Sequence, residues 1–93
     1  MYSKEVKIVN RYGLHARPSA LLVKTATPFK ADIYLEKDGL KVNGKSIMGV
    51  MMLAAECNSI VIITAEGPDE KEAVEALFAL MNKEFEEVYD EDE

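Results

Sequence analysis

The chain contains a single histidine, His15, which is followed closely by Arg17 and Pro18. The residues from Ala16 onward predict a helix, and proline is tolerated in a first helical turn because its missing N–H would have no partner there. His15 should therefore lie at or just before a helix N-terminus, where the N–H groups and the helix dipole favour an anion. The guanidinium of Arg17 adds a planar set of donors suited to phosphate. This combination is compatible with a histidine that carries a phosphoryl group on a ring nitrogen.

The spacing alone leaves an ordinary alternative open, because a lone histidine near a helix start is more often an incidental cap or surface residue. The string Gly-Leu-His-Ala-Arg-Pro at 13–18 resembles the active-site motif of the HPr family, the histidine-containing phosphocarriers of the bacterial phosphotransferase system. The string Lys-Ser-Ile-Met-Gly-Val-Met at 45–51 resembles the second hallmark of that family. Ser19 departs from the family pattern, in which alanine is usual at this place, and we expect its small hydroxyl to be tolerated.

The resemblance implies that enzyme I, charged by phosphoenolpyruvate, donates the phosphoryl group and that the A domains of sugar-specific enzymes II accept it. We expect His15 and Arg17 to act in the transfer, and the N–H groups of Ala16 and Arg17 to bind the phosphoryl oxygens. The sequence offers no second base, no nucleophilic serine with a matching triad and no glycine-rich phosphate loop. The prediction is therefore a carrier intermediate in phosphoryl transfer, without a cofactor, rather than a stand-alone catalyst.

Ser46 precedes a predicted short helix over 47–53 and should cap it with its hydroxyl. The resemblance implies regulatory phosphorylation of Ser46 by an ATP-dependent serine kinase, with a transcriptional regulator as a possible further partner. Methionine adapts to several partner surfaces, although at least one methionine of this helix should be core. The apolar part of the predicted docking face consists of Leu14, Ile47, Met48 and Met51. Its predicted basic rim consists of Arg11, Arg17, Lys24 and Lys45, although the two lysines could equally be ordinary solvated residues.

Hydrophobic periodicity predicts four strands, over 2–10, 31–37, 40–43 and 60–65, and two longer helices, over 16–27 and 69–86. Asp38-Gly39 indicates a two-residue hairpin turn, followed by a strand with Leu40 and Val42 inward. Asp69 and Glu72 indicate a capping box. The order β-α-β-β-α-β-α predicts an α+β fold with a mostly antiparallel sheet and helices on one face. The resemblance implies the same fold, an open-faced β-sandwich of four strands and three helices.

The 93 residues suffice for one domain, predicted to span 1–88, with an acidic tail over 89–93. The net charge of −6 comes from the end of the chain, which argues against nucleic-acid binding without excluding a basic patch near His15.

One cysteine permits no internal disulfide, and with one histidine it is a poor basis for a metal site. With no signal peptide or long apolar run, we expect a cytoplasmic monomer that does not insert into membranes.

A regulatory interaction module is the alternative function. In that case phosphorylation of His15 or Ser46 is a signal, and no sugar crosses a membrane. Neighbouring genes would separate the two hypotheses, because enzymes II favour transport whereas a kinase gene alone favours regulation.

Overall fold

The computed structural model describes residues 1–9, 13–14, 16–53 and 55–84. The described elements follow the predicted order: β1 Tyr2–Lys7, α1 Ala16–Ala26, β2 Asp32–Lys37, β3 Leu40–Asn43, α2 Ile47–Met52, β4 Ile60–Glu66 and α3 Glu70–Ala79, with a π-helical segment at Leu80–Glu84. The predicted α+β fold is confirmed. No helix in these ranges combines the length and apolar character needed to span a bilayer.

The four strands form one antiparallel sheet in the order β1-β4-β2-β3. The strand β4 pairs antiparallel with both β1 and β2, so β1 and β2 run parallel to each other on its two sides. Parallel strands cannot be joined by a tight turn, and here α1 makes the connection. The last of the described strands thus occupies the interior of the sheet.

One face of the sheet supplies most of the hydrophobic core. Val61, Ile63 and Ala65 alternate inward along β4, and Ile33 and Leu35 do so along β2. The prediction for β3 was wrong in one position, since Leu40 is 45% exposed whereas Val42 packs against the core. The reason is position in the sheet, because Leu40 begins an edge strand directly after the hairpin turn. The three α-helices contribute further large buried side chains: Leu22, Val50, Val74 and Leu77.

The hairpin between β2 and β3 has the predicted two-residue turn. Lys37 pairs with Leu40, so that only Asp38 and Gly39 lie between the strands. Both have positive φ, 51° and 85°. This is the backbone geometry of the type I′ turn, which matches the twist of the adjoining strands.

The predicted capping box at α3 was wrong. Asp69 occupies the N-cap position, but its side chain makes no hydrogen bond to the helix. Its two carboxylate oxygens instead accept hydrogen bonds from the N–H groups of Lys30 and Ala31, each at 2.9 Å. The start of α3 is thereby joined to the segment that leads into β2. Glu70, rather than Glu72, reaches back to the preceding turn, where its Oε1 accepts a hydrogen bond from the N–H of Gly67 at 3.1 Å.

The third helix changes its hydrogen-bonding pattern before its predicted end. Regular α-helix ends at Ala79, and the π-helical segment continues to Glu84, with Leu80 and Met81 buried. Residues 85–93 lie outside the described part of the chain. The predicted helix end near Glu86 and the domain boundary at 88 therefore stay predictions.

We predict that Asp69→Asn destabilises the fold in a pH-dependent manner. The backbone donors, Lys30 first, hold the pKa of the Asp69 carboxyl below its ordinary value of 3.8. A carboxyl group whose pKa is lowered by folding stabilises the fold at pH values above its unfolded-state pKa. This stabilisation is lost as the pH falls through the folded-state pKa. The variant should therefore unfold about 5 °C below the parent at pH 7, and this difference in Tm should narrow below pH 3.8.

Thermal unfolding across that pH range checks the prediction, with Asp32→Asn, an exposed residue at the start of β2, as the control. An Asp69→Asn variant with the parent's Tm at pH 7 would contradict it.

Candidate functional site

His15 itself lies outside the described residues, but both of its neighbours are described. The helix α1 begins at Ala16, as predicted, so the candidate phosphate carrier directly precedes a helix N-terminus in the chain. Ala16 and Arg17 are exposed, and no acidic residue occurs in this first turn. Pro18 is buried at the third helical position, where its ring costs no helical hydrogen bond. This end of α1 therefore favours an anion.

The two residues before His15 are held against the loop that follows α2. The N–H of Leu14 donates to the carbonyl of Ala55 at 2.9 Å. Gly13 has a φ of +72°, and a Cβ atom on it would overlap the same carbonyl oxygen. Glycine is required here because the backbones approach closely in a conformation that other residues adopt at a cost.

Ser19 contributes to the same arrangement, and its role exceeds the mere tolerance expected of its hydroxyl. Its side chain is fully buried, and its hydroxyl donates to the carbonyl of Leu14 at 3.2 Å. The hydroxyl is therefore bonded within the core rather than merely tolerated. A signal existed in the sequence, because the spacing of Ser19, Leu22 and Ala26 places the serine on the apolar stripe of α1.

Leu14 is predicted to lie in the docking face, but the structure places its side chain inside the protein. The side chain is only 4% exposed and belongs to the hydrophobic core. Its backbone bonds to Ala55 and Ser19 draw the residue inward, so its side chain leaves little surface for a partner. The candidate apolar docking surface is accordingly confined to α2.

The helix α2 turns Val50 into the core, followed by Leu53 just beyond its end. We call its exposed apolar residues the α2 patch: Ile47 at 43%, Met48 at 75%, Met51 at 43% and Met52 at 66% exposed. The prediction that at least one of the three methionines is core was wrong, because so short a helix directs one side inward and Val50 and Leu53 occupy it. Met52 was missing from the predicted docking residues although it belongs to the same patch.

The α2 patch ends close to the segment that contains His15. Only two residues lie between Met52 and Ala55, so the two are at most about 11 Å apart, and Ala55 bonds directly to Leu14. The helices α1 and α2 also pack against each other. A partner that covers the C-terminal end of α2 would therefore also reach the N-terminal end of α1.

Ser46 caps α2 as predicted. Its extended backbone precedes the helix, and its Oγ accepts a hydrogen bond from the N–H of Gly49 at 3.0 Å. A Cβ atom at residue 49 would lie 3.3 Å from this Oγ, closer than is usual for such a contact. Glycine inside a helix weakens it, but at this position it leaves room for the capping hydroxyl.

The two lysines of the predicted rim lie away from the start of α1. Lys45 donates from Nζ to the carbonyl of Phe29 at 2.7 Å, which joins the approach to α2 to the turn after α1. Lys24 is exposed in the last turn of α1, about 12 Å along the axis from Ala16. Arg11 lies outside the described residues. In the described part of the chain, no three histidine, cysteine or acidic side chains come together as a metal site.

Comparison with known proteins agrees with this arrangement. The family model "PTS HPr component phosphorylation site" matches residues 2–83. The phosphocarrier protein HPr of Treponema pallidum is 48% identical over 87 residues, which cover 94% of this chain and 99% of that protein. The HPr-like protein Crh of Halalkalibacterium halodurans is 50% identical over 84 residues, which cover 90% of this chain and all of Crh.

Solved structures show the same fold. The crystal structure of HPr from Thermoanaerobacter tengcongensis has a TM-score of 0.88 at 48% identity, covering 91% of this chain and 96% of that one. A second structure from that organism, described as an HPr dimer, has a TM-score of 0.72 at 48% identity, with coverage of 91% and 98%.

We predict that Ser46→Ala destabilises the protein, because it removes the acceptor for the Gly49 N–H. Loss of a serine N-cap costs about 1 kcal/mol in the free energy of unfolding. Ser46→Asp is the matched control, since a carboxylate can accept the same hydrogen bond and is favoured at a helix N-terminus. Urea unfolding of both variants checks the prediction, and equal stability of Ser46→Ala and the parent would refute the capping role.

Proposed function

The chain belongs to the HPr family of phosphocarrier proteins, and from this premise we propose that it accepts a phosphoryl group on His15 from enzyme I. Phosphoenolpyruvate charges enzyme I, and the carrier then passes the group to the A domains of sugar-specific enzymes II for sugar uptake. The protein acts in the cytoplasm as a monomer in this proposal. Dimeric relatives make its oligomeric state a quantity to measure, by light scattering on the purified chain.

The observation that carries the proposal is the start of α1 at Ala16, directly after His15. The leading N–H groups of a helix point away from the helix body and, with its dipole, favour an anion. We assign phosphate binding to the N–H groups of Ala16 and Arg17. Pro18 has no N–H and contributes its fixed φ and its packing. The first turn of α1 contains no carboxylate that would repel the phosphoryl oxygens.

The transfer requires an imidazole that is neutral and nucleophilic near pH 7, which suits an ordinary histidine pKa of about 6.5. A ring nitrogen of His15 attacks phosphorus, and the bond to the donor atom of enzyme I breaks as the N–P bond forms. The bonding electrons leave with the donor atom. Positioning and charge neutralisation dominate such transfers, so the partner enzymes supply the rest of each active site, and the exposed Arg17 neutralises charge on the transferred group.

The α2 patch provides the surface on which both partners dock. Its exposed methionines are unbranched and polarizable, so one surface can adapt to two different enzymes. The patch adjoins the segment of His15 through Ala55, as described above. Docking there brings the partner's reacting group to the N-terminal end of α1. Lys24 and Lys45 lie too far from this end to act on phosphate, and we place them at the margin of the docking face.

A regulatory role is the second candidate, and it is favoured by the likeness to Crh of Bacillus subtilis, whose solution structure is described as that of the catabolite repression HPr. In this role a serine kinase phosphorylates Ser46, and a transcriptional regulator reads the modified protein. The two roles are compatible in one chain, because His15 and Ser46 are separate acceptors. They differ in whether phosphate leaves the protein for an enzyme II.

We predict that enzyme I and phosphoenolpyruvate give the purified protein an acid-labile, base-stable phosphoryl group. His15→Ala should abolish the label, because the chain has no other histidine. Arg17→Ala should fold normally and accept phosphate at least about tenfold more slowly, since it loses a charge-assisted contact to phosphate but keeps the backbone donors. Labelling kinetics, with circular dichroism on the same samples, check both variants.

Persistent label on His15→Ala would overturn the assignment. Normal labelling of the parent without transfer to any enzyme II A domain would instead favour the regulatory role.

We predict that Ser46→Asp accepts phosphate from enzyme I about tenfold more slowly than the parent. The added carboxylate lies next to the α2 patch and repels an acidic partner surface and the incoming phosphoryl group. Charges at the rim of an interface act mainly on the rate of association. Ser46→Ala is the control, because it changes the cap without adding charge and should transfer at nearly the normal rate. Initial rates at low and high salt check this prediction, and an equally fast Ser46→Asp would reduce Ser46 to a structural cap.

A further inference from the structure

We propose that Ser19 is a positioning residue for phosphoryl transfer, acting through the peptide group that leads into His15. This inference rests on the function proposed above. Among the described residues Ser19 is the one polar side chain that is fully buried, and its hydroxyl is 3.2 Å from the carbonyl oxygen of Leu14. A buried hydroxyl with a single well-placed acceptor restrains that acceptor, because breaking the bond would leave both groups without a partner.

Pro18 explains why the Leu14 carbonyl needs this donor. In a helix extended toward the N-terminus, the carbonyl of residue 14 would accept a hydrogen bond from the N–H of residue 18. Proline has no N–H, so the motif that begins α1 so sharply also removes that backbone donor. The side chain of Ser19, one position later, donates to the carbonyl instead. The serine thus compensates for a consequence of the proline beside it.

Leu14 is consequently held through both of its backbone polar groups. Its N–H donates to Ala55 at 2.9 Å, and its carbonyl accepts from Ser19 at 3.2 Å. Its side chain is buried at 4% exposure. We call this arrangement the Leu14 clamp, formed by the Ala55 carbonyl and the Ser19 hydroxyl. The Ala55 half belongs to the loop after α2, and the Ser19 half belongs to α1.

The clamp restrains the residue covalently joined to His15, and transfer depends on the position of an imidazole nitrogen relative to phosphorus. Small displacements of a reacting group reduce rates strongly because the aligned geometry is lost. Ser19 is buried and does not contact a docked partner. Its contribution should therefore appear in the rate of transfer within the complex, and not in the affinity for enzyme I.

The experiment compares Ser19→Ala with Thr25→Val in the full chain. Ser19→Ala removes only the hydroxyl and adds no atom to the buried site, so the variant should fold. Thr25 is a matched control because its hydroxyl also donates to a carbonyl in α1, that of Leu21 at 3.0 Å, at the end of the helix away from His15. The measurements are hydrogen exchange of the Leu14 amide, and kcat and KM for phosphorylation by enzyme I well below the Tm of both variants.

We expect Ser19→Ala to lower the protection of the Leu14 amide about fivefold, the effect of one net hydrogen bond. Its kcat should fall about threefold with KM unchanged, and Thr25→Val should leave all three quantities at parent values. Parent-like protection in Ser19→Ala would show that the hydroxyl does not restrain Leu14. Parent-like kcat, or a change in KM alone, would overturn the positioning role. Failure of the parent to accept phosphate would refute the proposed function instead, and is thus a distinguishable outcome.

Discussion

The antiparallel pairing of β1 with β4 is the interaction on which the rest of the structure depends. It extends from the pair Tyr2–Ala65 to the pair Lys7–Ile60, and hydrogen bonds of Ile8 with residues 58 and 59 continue it. A shift of one residue would turn every side chain of β1 to the opposite face, so the burial of Val6 and Ile8 specifies the register. The same register leads the chain toward the bond between Leu14 and Ala55.

The candidate site combines an exposed helix end with a buried support. The first two residues of α1 face solvent. Leu14, which precedes them in the chain, and Pro18 and Ser19, which follow them, are buried. This division suits a carrier, since the phosphate has to be reached by two different enzymes while the backbone that presents it stays in place. The donors of the helix end are fixed by secondary structure and need no reorganisation when charge arrives.

The helix α2 serves the fold and the proposed docking surface with different sides. Val50 and Leu53 pack in the core, and the Ser46 hydroxyl stabilises the start of the helix. The opposite side exposes the α2 patch, an apolar surface that the fold does not cover. Exposing a few apolar side chains costs the isolated protein little stability. A contiguous exposed patch of this kind is typical of a surface that partners bury. The loop from α2 to Ala55 joins this surface to the segment of His15.

Local sequence determined the elements of this protein, and the tertiary structure decided how they meet. The turn at Asp38-Gly39, the cap at Ser46 and the start of α1 depend on residues a few positions apart, so periodicity and turn chemistry predicted them. The insertion of β4 between β1 and β2, the burial of Leu14 and the bonds of the Asp69 carboxylate to the segment before β2 involve partners distant in the chain. A local pattern reports which side of an element is apolar, but not which distant backbone donor or strand will be available to it once the core has closed.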